Sequence, residues 1–216
     1  SGSAHPLADA VVTAARERGW EGQAAQNVEQ IVGRGLRGAL NGQVIEVGSL
    51  KLFGDDPAMS AARPVIEELE RAGATAVAVR REGRCLGVIG MADEERPEAK
   101  HLTAELKSLG VRRVVMLTGD NERVAQAVAG RLGLDGYYAG LLPDEKMRIV
   151  ADLRDAEGVV AMLGDGVNDA PALAAASLGV AMGVAGSDVA LETADVALMR
   201  DDLSRFTGAI RLARFA

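Results

Sequence analysis

The chain has 216 residues, a formal net charge of −7, 48% hydrophobic residues and only 3% aromatic ones. That length fits one large or two modest domains, and the acidic balance argues against nucleic acid or an anionic membrane as a general partner. No run of about 18 apolar residues is present to span a bilayer, no signal-peptide pattern is visible, and a single cysteine, Cys85, excludes an internal disulfide and fits a reducing compartment.

In chain order, Pro6 stands at a first helical position, with Ala8, Val11, Val12 and Ala15 on one face and Gly19 as terminator. Residues 28–32 read as a strand, followed by Gly33-Arg34-Gly35-Leu36-Arg37-Gly38. Asn41-Gly42 separates Ala39-Leu40 from Val44-Ile45-Glu46-Val47, a strong hairpin signal. The pattern predicts one helix over 57–73, with Ile66 and Leu69 on its apolar side, and a second hairpin of 75–81 with 84–91 around Glu82-Gly83. Cys85 falls within that alternating strand pattern, which makes it a packing residue.

Near Ala92-Asp93 the hairpin pattern gives way to alternation of helix and strand. Helices are expected at 97–110, 121–133, 143–156, around Pro171 and over 203–216; strands at 111–117, 137–139, 159–163, 178–182 and 196–199. Such alternation predicts a Rossmann-like, doubly wound parallel sheet beside a smaller antiparallel α+β domain. The expected division is 1–91, 92–203, and a terminal helix over 204–216.

The most informative stretch is Gly164-Asp165-Gly166-Val167-Asn168-Asp169, placed between an apolar strand and a helix start at Ala170-Pro171. Open α/β sheets bind ligands at the carboxyl ends of their strands. Two hard carboxylates there, Asp165 and Asp169, suit Mg²⁺ beside a phosphate. Thr118 and Gly119 end another strand and offer a hydroxyl and a backbone N–H at a helix start. Lys146, one turn into the 143–156 helix, supplies a cation, and Asn168 an amide for a transferring oxygen. Phosphoryl transfer needs mainly positioning and charge stabilisation, which this set provides. Each element alone has a plainer explanation: a capped turn at 118–121, a surface lysine. Their ordered recurrence on alternate elements does not. Two distant histidines and no cysteine pair predict no transition-metal site.

The strings Met116-Leu117-Thr118-Gly119-Asp120-Asn121, Leu142-Pro143 with Lys146, and Gly164 to Asp169 followed by Ala170-Pro171-Ala172-Leu173 resemble the phosphorylation domain of P-type ATPases, in the haloacid-dehalogenase-like superfamily. Asp93-Glu94-Glu95-Arg96-Pro97 is similar to that family's hinge segment. His5-Pro6-Leu7-Ala8 resembles the His-Pro motif of heavy-metal-transporting members, where the histidine orients ATP. Gly33 and Gly35 match the family's Gly-x-Gly nucleotide loop, and Gly48-Ser49 falls where the family often has Gly-Asn. The resemblance implies ATP binding by His5, Pro6, Gly33, Gly35, Gly48 and Ser49. It implies Mg²⁺ at Asp165 and Asp169, and a phosphoryl cradle of Thr118, Gly119, Lys146, Asn168 and Asp169. The implied parent is a pump on the cytoplasmic face of the cell membrane that exports a heavy metal through an aspartyl-phosphate. The 182–195 tail resembles zinc, cobalt or cadmium exporters more than copper exporters.

Departures from the family pattern matter equally. Ala4 stands where many members carry Glu, and the Asp-Lys-Thr-Gly-Thr phosphorylation motif is absent from the chain. The remaining partners (phosphorylation motif, actuator domain, membrane helices) are therefore expected elsewhere, and the transported metal is not expected to bind here. Loss of the central strand that carries the motif would expose two sheet edges. The alternatives are a free-standing phosphatase of the same superfamily, for which no nucleophilic Asp-x-Asp is found, and a non-catalytic nucleotide-binding module.

Overall fold

The computed structural model describes residues 6–92, 98–165, 169–183, 192–200 and 202–215. The chain divides into two compact units, Ser1–Asp93 and Glu94–Ala216.

In the first unit, strands β1 (Gln26–Ile31), β2 (Gly35–Leu40), β3 (Gln43–Gly48), β4 (Thr75–Arg81) and β5 (Arg84–Met91) form one antiparallel sheet in sequence order. Asn41 and Gly42 (φ +53° and +78°) and Glu82 and Gly83 (φ +47° and +77°) are both left-handed pairs. That is the turn chirality that matches strand twist in a two-residue hairpin. Helix α1 (Pro6–Glu17) precedes the sheet; α2 (Leu50–Phe53), a 3₁₀ turn (Pro57–Met59) and α3 (Ala62–Arg71) lie between β3 and β4. Ala76 and Ala78 alternate along β4 and share a core with Phe53, Met59, Ala62 and Ile66.

The single helix expected over 57–73 is broken between Met59 and Ala62. Pro64 is the reason. Within a continuous helix it would lack an N–H and clash with the preceding turn, whereas in a first turn neither penalty applies. The break places Pro64 in the first turn of α3, and Asp56 caps the separate 3₁₀ turn by accepting from the Ala58 N–H at 2.8 Å.

A row of alternating charge crosses four strands of this sheet: Glu29 opposes Arg37, Arg37 opposes Glu46, and Glu46 opposes Arg80. Arg80 donates from Nε to Glu46 at 2.7 Å, also pairs with Asp56, and lies 5.1 Å from the centre of the Phe53 ring. Burial opposes its charge, yet Glu46 and Asp56 outweigh that effect and hold the guanidinium pKa above its ordinary value.

The second unit runs α4 (Ala99–Ser108), β6 (Val115–Leu117), α5 (Glu122–Leu132), β7 (Gly136–Tyr138), α6 (Pro143–Glu157), β8 (Ala161–Gly164), α7 (Ala170–Ala175), β9 (Leu178–Met182), β10 (Val196–Leu198) and α8 (Ser204–Phe215). Its strand pairs are parallel, as the alternation predicts. They form two sheets where one was expected: β10-β9-β8 and β6-β7. Among the described residues no strand pairs with the outer edge of β8 or of β6. One apolar cluster gathers Leu106, Val180, Met182, Leu198 and Phe206, with Val111, Val114 and Leu163 against it.

The strand expected over 111–117 is only Val115–Leu117. Just before it, a side chain takes the backbone donor that a longer strand would use. The Val114 N–H bonds to the Asp135 carboxylate at 2.8 Å, and Arg112 and Arg113 both reach Glu157.

Candidate functional site

The chemistry-bearing residues of the second unit hang from strand ends. β6 runs into Thr118, whose N–H donates to the Tyr138 carbonyl at 2.9 Å and whose carbonyl accepts from the Leu141 N–H at 3.0 Å. The loop after β6 is thereby tied to the loop that leads into α6. The Thr118 hydroxyl donates to the Asp120 carboxylate at 2.8 Å and accepts the Asp120 N–H at 3.1 Å. Its orientation is thus set by Asp120, a residue to which the sequence reading gave no role. Asn121 caps α5 by accepting from the N–H groups of Arg123 and Val124. Gly119 is exposed, at the turn between strand and helix.

Helix α6 starts with Pro143 at its first position, and the Glu145 carboxylate accepts the Leu142 N–H at 2.8 Å. One turn in, Lys146 reaches Asp169: Nζ lies 2.7 Å from Oδ1, and the two side chains are only 18% and 16% exposed. Asp169 stands before α7 but makes no side-chain cap to it, because its carboxylate is turned to the lysine. A Cβ on Gly164, the last residue of β8, would meet the Asp169 side chain at 2.9 Å. Glycine at 164 therefore lets Asp169 fold back over the strand end. Asp165 is exposed immediately after β8.

The structure brings Lys146, Asp169 and the end of β8 together. It links Thr118 and Asp120 to the loop before α6 through backbone bonds from Leu141 and Gly140, with no side-chain bond from Thr118 to Lys146 among the described residues. Asp165 and Asp169 are the two carboxylates at this strand end, hard oxygen donors of the type Mg²⁺ takes, and an ion there would need phosphate and water oxygens to complete its shell. Among the described residues no group of three or more acidic, His or Cys side chains forms a fuller metal site. Asn168 lies outside the described residues, as do His5 and the segments 93–97 and 184–191.

In the first unit, Gly33, Gly35, Gly48 and Ser49 converge. Gly35 and Gly48 are cross-strand partners, and the Ser49 N–H donates to the Arg34 carbonyl at 2.9 Å. A Cβ on Gly35 would lie 2.2 Å from the Val47 carbonyl oxygen, and one on Gly48 would lie 2.2 Å from that of Arg34. Strand contact alone thus demands glycine at 35 and 48. Gly33 differs: it is left-handed (φ +67°) and opens onto empty space. Pro6 begins α1.

With this geometry in view, known proteins give the following likenesses. A family model described as haloacid dehalogenase-like hydrolase matches residues 2–177. A manganese-exporting P-type ATPase of Mycobacterium tuberculosis is 43% identical over 205 residues, which are 94% of this chain and 29% of that protein. A zinc-exporting P-type ATPase of Mycobacterium marinum is 43% identical over 94% of this chain and 28% of its own length. A probable cadmium-transporting ATPase of Staphylococcus aureus is 40% identical over 98% and 27%. Among solved structures, a zinc-transporting PIB-type ATPase in its E2.Pi state is 43% identical with a TM-score of 0.67, covering 99% of this chain and 34% of that one. The catalytic CPx-ATPase domain CopB-B is 31% identical with a TM-score of 0.67, covering 97% and 74%. The chain therefore spans under a third of the length of the curated relatives it matches.

Proposed function

The chain belongs to the haloacid dehalogenase-like hydrolases, in the catalytic region of P-type ATPases, and from that premise we propose that it is the ATP-binding and phosphoryl-handling part of a pump exporting a divalent heavy metal. The cargoes of its relatives (manganese, zinc, cadmium) support a divalent cation as the transported substrate. In this reading residues 1–91 bind ATP through His5, Pro6, Gly33, Gly35, Gly48 and Ser49. Residues 92–203 form the phosphorylation domain, and 204–216 lead toward a membrane segment on the cytoplasmic side. No helix among the described residues is long and apolar enough to cross a membrane; in this reading the spans are carried by other parts of the pump.

The observation that carries the proposal is the Lys146–Asp169 ion pair, folded over Gly164 at the end of a parallel strand. Lys146 neutralises oxygens of the phosphoryl group, while Thr118, Gly119 and Asn168 position it. Asp165 and Asp169 hold Mg²⁺, which when bound offsets the negative charge of the phosphate oxygens. The phosphorylated aspartate is supplied by a segment outside this sequence. Its strand, in this reading, lies between β8 and β6.

Two measurements test this. Titration of the 216-residue chain with ATP should shift the amide signals of Gly33, Gly35 and Ser49; unmoved signals overturn the nucleotide assignment. Incubation with labelled ATP and Mg²⁺ should leave the chain unlabelled, since this reading places the nucleophile outside it. Hydroxylamine-sensitive label on the protein would sink that part of the reading.

A further inference from the structure

The glycine cradle of the first unit is flanked by two cations that the fold itself does not use. Arg34 lies between Gly33 and Gly35, and its backbone is held on both sides: its N–H donates to the Ile31 carbonyl at 2.9 Å, and its carbonyl accepts from the Ser49 N–H at 2.9 Å. The Ser49 hydroxyl also approaches that carbonyl, at 3.4 Å. Yet the Arg34 side chain is exposed and makes no ion pair or hydrogen bond among the described residues. Lys51, two residues beyond Ser49, is likewise exposed and unpaired among them. By contrast Arg37, on the neighbouring position of β2, sits between Glu29 and Glu46 in the charge row and is structurally accounted for.

Uncompensated cations cost a small fold nothing when exposed, but their placement here is specific. They spring from the two segments joined by the Arg34–Ser49 bond, beside the open left-handed Gly33. The chain as a whole is acidic, at −7. A polyanion approaches such a molecule against its field unless local positive charge receives it.

We propose that Arg34 and Lys51 recognise the phosphate chain of the nucleotide, so that this unit distinguishes nucleoside triphosphates from the bare nucleoside. The inference rests on the nucleotide assignment of Gly33, Gly35, Gly48 and Ser49. Arg34 supplies a planar fork that can take two phosphate oxygens, and Lys51 a point charge. The adenosine moiety is held by other groups and is indifferent to both.

Calorimetric titration of the 216-residue chain with ATP, AMP and adenosine tests it. Arg34→Gln and Lys51→Gln should each weaken ATP binding roughly fivefold to tenfold, weaken AMP less and leave adenosine unchanged. Each should also flatten the dependence of ATP affinity on salt. Arg81→Gln, an exposed arginine at the other end of β3's partner strand, should change none of the three affinities. Equal losses for ATP and adenosine, or no loss for either variant, overturn the proposal while leaving the nucleotide assignment standing. If the unaltered chain binds neither ATP nor adenosine, the assignment falls and the proposal with it.

Discussion

Gly33 and Gly35 are two residues apart and equally small, yet they are glycine for different reasons. At Gly35 a side chain has no room, and φ is +150°; at Gly33 the space is open and only the left-handed backbone objects. Gly35→Ala should therefore cost about 2–4 kcal/mol, by displacing β3, and Gly33→Ala about 1 kcal/mol. Urea denaturation of the two variants separates them; equal losses would refute the strand-contact explanation. Lys146 is a second case. Replacing it with Ala leaves the half-buried Asp169 carboxylate without its cation, at a cost of about 1–3 kcal/mol, visible as faster amide exchange in α7. At this scale the sequence was legible wherever chemistry dictated spacing: Lys146 and Asp169 were named together and do meet. The Thr118 hydroxyl was also named, but its commitment to Asp120 was not foreseen, because a threonine followed two residues later by aspartate reads equally as a phosphate loop or as a turn that satisfies itself.

Among the elements, periodicity located the β4–β5 hairpin and strand β9 at their observed bounds. It failed where a residue far away in the chain settles the backbone. Asp135 takes the Val114 N–H and shortens β6; α2, only four residues long, carries too few apolar positions to show a period. The segment from Ser49 to Met59 is a further element-scale dependence. Arg80 pins it to the sheet through Asp56 and the Phe53 ring. Arg80→Leu leaves Asp56 without its cation and Glu46 with only the longer Arg37 contact at 3.9 Å, and should cost about 1–3 kcal/mol. Hydrogen exchange should then show residues 50–59 opening before the strands. If that segment stays as protected as β4, Arg80 is not its anchor.

For the whole molecule, two units with separate cores predict two unfolding steps in calorimetry. Acid should act on the second of them. Asp135 is held below the usual carboxylate range, first by the Lys107 hydrogen bond and then by the Val114 N–H; Asp202 is lowered by the Ser204 hydroxyl and N–H. A folded-state pKa below the unfolded one contributes stability above about pH 4 that disappears as pH falls through the folded value. The urea midpoint of the second unit should thus drop between pH 5.5 and 3, and less so in Asp135→Asn. A variant with the same acid sensitivity as the parent would show that other groups govern it.

The two strands that run into Thr118 and Asp165, β6 and β8, each have a flank with no strand beside it among the described residues. In most layered α/β molecules working groups are hung from the best-braced strands. Here Thr118 and Asp165 hang from hems. Every unmatched amide along such a hem is an invitation, and the first extended peptide to accept it, a neighbour's or a stranger's, meets the working groups before anything else. Storage at high concentration should consequently silence these residues sooner than it melts either core.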